Sequence, residues 1–186
     1  DASKPIVAYY PATDASGTVK IDAEKTVEFS GNGQNVKAYA PLVGVPQEGN
    51  LKDGSLNMAF DNIFSVIELR IDGGDLTGTA KSLTIEPADA ADFTGYLTVT
   101  GTVAPDTRAV TATASSNTMK INLPASADPK QAMTVQFPVG RFSTSSGLKV
   151  TLETSEKSYS KVIYKTGVTT YEEKGGVFFA KHLAKP

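Results

Sequence analysis

The sequence predicts an all-β fold, an antiparallel β-sandwich of Greek-key or transthyretin-like type in one or two sandwich units. Threonine, valine and serine are frequent, and 16 glycines and 10 prolines are spread along all 186 residues. Such β-branched residues, interrupted at short intervals by turn formers, are typical of many short strands. Apolar and polar residues also alternate within these segments, and no strand–helix–strand rhythm is visible.

The predicted strands follow one another at intervals of about 8–12 residues, which is the spacing of a sandwich or barrel. Pro11 and Pro41 end two of them, because proline cannot donate a hydrogen bond to a ladder. A long polar connection is expected over residues 47–55. The strands are predicted at residues 6–10, 18–21, 27–29, 36–40, 60–71, 82–86, 96–103, 110–113, 119–123, 134–137, 148–152, 162–164 and 177–183.

The segment 60–71 carries two patterns at once. Its isoleucines and Leu69 alternate with Glu68 and Arg70, which indicates a strand with one buried face. Phe60 and Phe64, four residues apart, also fit helical spacing. We therefore expect one helical turn that leads into a strand.

The whole chain, residues 1–186, is expected to form this sandwich region, and residues 72–81 are the best candidate for a subdivision. Asp72-Gly73-Gly74-Asp75 opens that segment, and Asp and Gly tolerate the backbone of a tight turn. A turn is the preferred interpretation. A weak calcium site, which lacks EF-hand spacing, and a catalytic carboxylate pair are the alternatives.

Composition excludes several classes of function. The chain has no cysteine, which removes disulfides, thiolate metal sites and cysteine nucleophiles. The formal net charge is −2 with basic residues scattered among acids, so nucleic acid is not an expected partner. No apolar run approaches the roughly 18 residues of a membrane helix. Because the first residue is Asp1 and no signal-like segment follows, any targeting signal is expected to have been removed.

No constellation of residues supports catalysis. The single histidine, His182, would have to serve any Ser–His–Asp triad, and no serine lies in a GxSxG elbow. The pair Glu172 and Glu173 lacks the aromatic platforms of a sugar cleft, since the chain has no Trp. The loop Ser30-Gly31-Asn32-Gly33-Gln34 lacks the ending of a phosphate-binding loop and is expected to be a turn. We predict that the protein is not an enzyme and has no catalytic, cofactor-binding or metal site.

Aromatic side chains are expected mainly in the core, because aromatic residues dominate sheet interiors. Some of them can instead form an exposed binding patch, which the sequence does not identify. The aromatic residues within or beside predicted strands are Tyr9, Tyr10, Phe60, Phe64, Phe137, Phe178 and Phe179.

Several short motifs follow one another along nearly the whole chain. Ala8-Tyr9-Tyr10-Pro11 comes first, and Ala40-Pro41-Leu42-Val43-Gly44 and residues 58–71, MAFDNIFSVIELRI, come next. Lys81-Ser82-Leu83-Thr84-Ile85, Phe137-Pro138-Val139-Gly140-Arg141-Phe142 and Gly147-Leu148-Lys149-Val150-Thr151-Leu152 follow. In order and spacing, this set resembles the fimbrillin-like (Mfa-like) surface proteins of Bacteroides-type bacteria.

The resemblance implies a lipid-anchored protein of the outer membrane and cell surface, either a cell-adhesion protein or a structural subunit of a pilus. Its implied partners are other pilus subunits, as in a homopolymer, or surface molecules of the host or of other bacteria. Family members usually begin with a lipobox cysteine and a β-rich segment containing W-x-x-G-D. This chain has neither, so the N-terminal part of the family architecture is expected to be missing.

In pilus-forming relatives, removal of an N-terminal strand opens a groove that a neighbour's strand fills, which is strand addition. Residues 176–183 are a candidate donor strand in this chain. The preferred interpretation is that they form the last strand of their own sandwich, because terminal strands normally pair within their own chain. The alternative function is a glycan-binding surface module, against which the lack of Trp counts.

Overall fold

The computed structural model describes residues 6–10, 17–30, 34–36, 41–52, 55–71, 74–104, 107, 109–163, 170–171 and 177–183. Its regular structure consists of β-strands, which confirms the predicted all-β class. Over these ranges there is no helix of the length and apolar character that a membrane crossing requires.

The strands are short, and most of them match predicted segments. In chain order they are β1 (Ala8–Tyr10), β2 (Thr18–Ile21), β3 (Glu24–Thr26), β4 (Gln34–Val36), β5 (Leu42–Lys52), β6 (Ser55–Asn62), β7 (Ser65–Ile71), β8 (Ala80–Pro87), β9 (Thr94–Gly95), β10 (Thr98–Val103), β11 (Val110–Ser116), β12 (Met119–Asn122), β13 (Met133–Val139), β14 (Phe142–Ser143), β15 (Leu148–Thr154), β16 (Ser158–Ile163), β17 (Thr170–Tyr171) and β18 (Val177–Leu183).

In the described ranges, two larger sheets and three smaller ones make up the sandwich. The five-stranded sheet has the order β16-β15-β8-β12-β3, and the four-stranded sheet has the order β18-β7-β13-β4. The smaller sheets are β1-β5-β6, β11-β10-β2 and β17-β14-β9. Alternate residues of the long strands enter one hydrophobic core, as the burial pattern of β15 illustrates. Its fully buried members include Leu69, Ile71, Leu83, Ile85, Val135, Phe137, Val150 and Leu152.

Among the described strands, three pairings depart from a purely antiparallel sandwich. β3 runs parallel to β12, β4 parallel to β13, and β18 parallel to β7. Each of these parallel strands is the outermost strand of its sheet. Because parallel neighbours cannot be joined by a tight hairpin, each comes from a distant part of the chain.

The helical turn predicted within residues 60–71 is wrong. β6 ends at Asn62, the fully buried Ile63 and Phe64 form a bend, and β7 follows at once. The Ile63 amide donates a 3.0 Å hydrogen bond to the Pro41 carbonyl, which fixes the corner. The helical spacing of the apolar residues reflects a chain that turns from one sheet into another.

The polar connection predicted over residues 47–55 is also wrong, because β5 and β6 form a long hairpin through most of it. The ladder continues to Lys52, which is paired with Ser55. Backbone groups make a ladder, so a polar sequence can form strands.

Two strands lie a few residues before their expected positions. The strand expected at residues 27–29 lies at β3 instead, and Val27 follows it with a 3.1 Å hydrogen bond to the Asn122 carbonyl. The strand expected at residues 36–40 begins at Gln34, and residues 37–40 lie outside the described ranges.

Candidate interaction surfaces

Of the residues weighed for catalysis, only His182 and Asp75 lie in the part of the chain that the structure describes. His182 lies on β18, and Asp75 is exposed on a bend after Gly74, whose φ is 103°. Asp72, Glu172 and Glu173 lie outside the described ranges. Among described side chains, no group of three or more His, Asp or Glu residues is placed to hold a metal ion.

The ends of the loop at residues 30–34 are closed by protein contacts. The Ser30 amide donates to the Asn35 carbonyl at 2.8 Å, and the Ser30 hydroxyl donates to the same oxygen at 3.2 Å. The buried Gln34 side chain donates a 2.7 Å hydrogen bond to the Asp128 carbonyl. These contacts give the loop ends a structural role, while residues 31–33 lie outside the described ranges.

A small cleft opens where the β2–β3 segment meets β12 and β13. It has a volume of ≈ 50 Å³ and is lined by Lys20, Asp22, Lys25, Met119, Gln136 and Pro138, among others. A space of this size holds a water molecule or two, not a sugar or a peptide. The Lys20 ammonium lies 2.5 Å from the Asp22 carboxylate.

Asp92 joins two loops through its carboxylate. The carboxylate accepts hydrogen bonds from the amides of Ser145 (2.7 Å) and Ser146 (2.6 Å), and from the hydroxyls of Thr144 (3.0 Å) and Ser145 (2.8 Å). These donors, the Ser146 amide foremost, hold the pKa of the Asp92 carboxyl well below its ordinary value. The donors all belong to the protein, so this carboxylate is a structural clamp.

Glu68 is buried although it points away from the apolar face of β7. Its carboxylate accepts a 2.7 Å hydrogen bond from the Gln136 side-chain amide and a 2.9 Å bond from the Arg70 Nε. The Gln136 hydrogen bond is the main reason that the pKa of Glu68 lies below its ordinary value. Alternation along the sequence predicted an exposed Glu68, and only the hydrogen-bonded neighbour on the adjacent strand reveals its burial.

The β18 strand occupies one edge of the four-stranded sheet. It pairs with β7 from Val177, opposite Val66, to Leu183, opposite Ile71, with one irregularity after Ala180. This pairing within the chain confirms the preferred interpretation of residues 177–183, which is that they form the last strand of their own sandwich. It also means that the ladder on this side of β7 is completed by a segment near the end of the sequence.

The β11 edge is shielded differently. The side chains of Thr111–Ser115 are exposed, but the register of β11 with β10 shifts between Thr100 and Gly101. Thr113 is the extra residue of this bulge, and its hydroxyl donates a 3.0 Å hydrogen bond to the Thr100 carbonyl. A bulge interrupts the straight row of backbone groups that an incoming strand requires.

The aromatic residues divide between core and surface. Phe64 and Phe137 are buried, as predicted, and Tyr9 packs against the core from the inner face of the β1-β5-β6 sheet. Tyr10 and Phe60 are exposed to 51% and 48%. The strand register places both on the other, outer face of that sheet. The sequence marked them as aromatic but could not identify this face.

Comparison with models of protein families, with curated proteins and with solved structures finds no match to this chain.

Proposed function

We propose that the protein is a cell-surface adhesion or pilus structural subunit that acts through protein–protein or strand-addition contacts. The observation that carries the proposal is the parallel pairing of β18 along β7 at the edge of a sheet. A strand in that position can be contributed by the same chain or by another copy.

Exchange at this edge keeps the backbone pairing of β7. One face of β7 is anchored in the core by the buried Ile67, Leu69 and Ile71, and its other neighbour, β13, is antiparallel. If β18 leaves, the outer backbone groups of β7 lose their partners, which is costly unless another strand replaces it. The β18 strand of a second copy offers the same hydrogen bonds, so exchange links two molecules without loss of pairing.

The resemblance to fimbrillin-like proteins supports the same proposal. Under this proposal, the protein acts at the cell surface, and its full-length form is held at the outer membrane by an N-terminal lipid. Its partners are further pilus subunits or surface molecules of host or bacterial cells. The proposal assigns no reaction, so a broad panel of hydrolase substrates is expected to stay unchanged.

Gel filtration with light scattering tests the proposal. The protein at high concentration is expected to form oligomers that persist in moderate denaturant, whereas a variant that lacks residues 177–186 cannot donate its strand. A protein that remains monomeric at every concentration, including after joint unfolding and refolding, contradicts strand addition.

A further inference from the structure

The outer face of the β1-β5-β6 sheet concentrates exposed apolar side chains. Among the described residues, the large apolar side chains that are exposed are Ile6, Tyr10, Phe60 and Val162. Tyr10 and Phe60 lie on this face, and Ile6 comes two residues before β1. An apolar concentration of this kind on one face marks a binding surface more often than a scattered exposed residue does.

Phe60 presents a flat ring on this face. A Cβ atom built on Gly44, its cross-strand partner, would lie 2.9, 3.0 and 3.1 Å from Cε1, Cζ and Cδ1 of Phe60. A point almost equally far from three consecutive ring carbons lies over the face of the ring, not beyond its edge. The ring therefore covers Gly44 with one face and turns the other face outward.

Where all three strands pair, the register arranges this face in two rows. Tyr10, Leu42 and Asn62 form one row, and Ala8, Gly44 and Phe60 form the next. All six residues are uncharged, so the face favours an uncharged ligand. The Asn62 amide and the Tyr10 hydroxyl supply hydrogen-bonding groups at opposite ends of the same row.

The size of the face decides between two classes of occupant. The part of the face where all three strands pair is a few residues long, and at a strand spacing of about 4.8 Å its area is on the order of 300 Å². A stable protein–protein interface buries about 800 Å² on each partner. The face is therefore too small for a protein partner by itself, but it suits a ligand composed of a few rings.

We propose that this face binds a neutral oligosaccharide, with the apolar C–H face of one pyranose ring stacked on the outward face of Phe60. Tyr10 and Phe60 lie at opposite corners, with Cα atoms about 12 Å apart by strand spacing, so a short oligosaccharide contacts both while one sugar cannot. Sugar hydroxyls bond to Asn62 and to the Tyr10 hydroxyl. The site goes beyond assembly by strand addition, since a single copy of the chain contains all of it.

Affinity gel electrophoresis with laminarin, mannan, pullulan, xylan and soluble starch tests the proposal, followed by calorimetry with short oligosaccharides of any that bind. Phe60→Ala is expected to weaken binding about tenfold, the effect of losing one aromatic stacking contact. Phe60→Tyr, which keeps a ring over Gly44, should stay within about twofold of the parent protein by the same reasoning. Val162→Ala removes an exposed apolar side chain from β16 and should change nothing.

Three results would overturn the oligosaccharide site. They are no binding of the parent protein to any of the five polysaccharides, binding that survives Phe60→Ala, and a Phe60→Ala change in oligomeric state that marks the face as an interface between copies. Thermal unfolding of each variant verifies that it is folded. Because a monomer lacking residues 177–186 retains Tyr10 and Phe60, the outcome is independent of strand addition.

Discussion

The backbone amide of Ser146 donates a 2.6 Å hydrogen bond to the carboxylate of Asp92, 54 residues earlier in the chain. The bond connects the loop that precedes β9 to the loop that precedes β15, and three further donors reach the same carboxylate. Two segments without regular structure are thus held by one ionised side chain.

Asp92→Asn is expected to lower the melting temperature at pH 7, because an amide cannot accept all four of these hydrogen bonds. The folded-state pKa of Asp92 is depressed, so its stabilising contribution is complete above the unfolded value of about 4 and is lost as the pH falls below it. Thermal unfolding followed by circular dichroism between pH 3 and 7 measures this. The difference between parent and variant should be constant from pH 7 to 5 and shrink toward pH 3.

Asp89→Asn is the matched control, since Asp89 is an exposed carboxylate in the same loop and, among the described residues, accepts one hydrogen bond, from the Ala91 amide. Its melting temperature should stay close to that of the parent protein. Equal losses at pH 3 and pH 7 for Asp92→Asn would show that the charge of Asp92 does not contribute.

Gly95 and Gly74 both have positive φ angles, 94° and 103°, but their surroundings differ. A Cβ on Gly95 would collide with the Arg141 carbonyl and the Phe142 Cα, whereas no atom of the described residues lies within 4 Å of a Cβ on Gly74. Gly74→Ala should therefore cost roughly 1 kcal/mol for backbone strain alone. Gly95→Ala should cost about 3 kcal/mol or more, because the collision with backbone adds to the strain. Urea unfolding measures the loss of unfolding free energy in each variant, provided that the dependence on urea concentration keeps the same slope. Equal losses would contradict the close approach of β9 and β14.

Glu68 and Glu86 are both strand glutamates with a cationic partner, but only Glu68 is buried. Glu68→Ala leaves the Gln136 amide without its acceptor and should destabilise the protein by roughly 1–3 kcal/mol. Glu86→Ala breaks a partly exposed 3.0 Å pair with Lys149 and should cost less than about 1 kcal/mol. Chemical denaturation compares them, and a smaller loss for Glu68→Ala would mean that its burial contributes nothing.

Local pattern predicts most of the strands but not their partners. The alternation over residues 148–152 corresponds to β15, and Thr18–Ile21 was predicted with its observed bounds. Alternation reports which face is buried, yet says nothing about whether a distant strand arrives parallel, as β18 does on β7. Partner and direction depend on contacts between residues far apart in sequence.

The surface features were the least predictable. Phe60 resembles a core residue in sequence, and only the register with Gly44 shows that its ring lies on the outer face. The Asp92 clamp has no local signature, because its donors lie more than 50 residues away. The subdivision near residues 72–81 stays a prediction.

Disulfide trapping across β7 and β18 tests the central claim most directly. Val66 and Val177 are paired across the two strands, and because the chain has no cysteine, only introduced thiols can react. The two single variants, Val66→Cys and Val177→Cys, are mixed, unfolded together in urea, refolded and oxidised. Each variant treated alone is the control. Strand addition predicts a covalent dimer in the mixture that neither variant forms alone. The contradicting result is a mixture that gives no such dimer, together with a double variant that closes a disulfide within one chain. In that case β18 pairs only with β7 of its own chain.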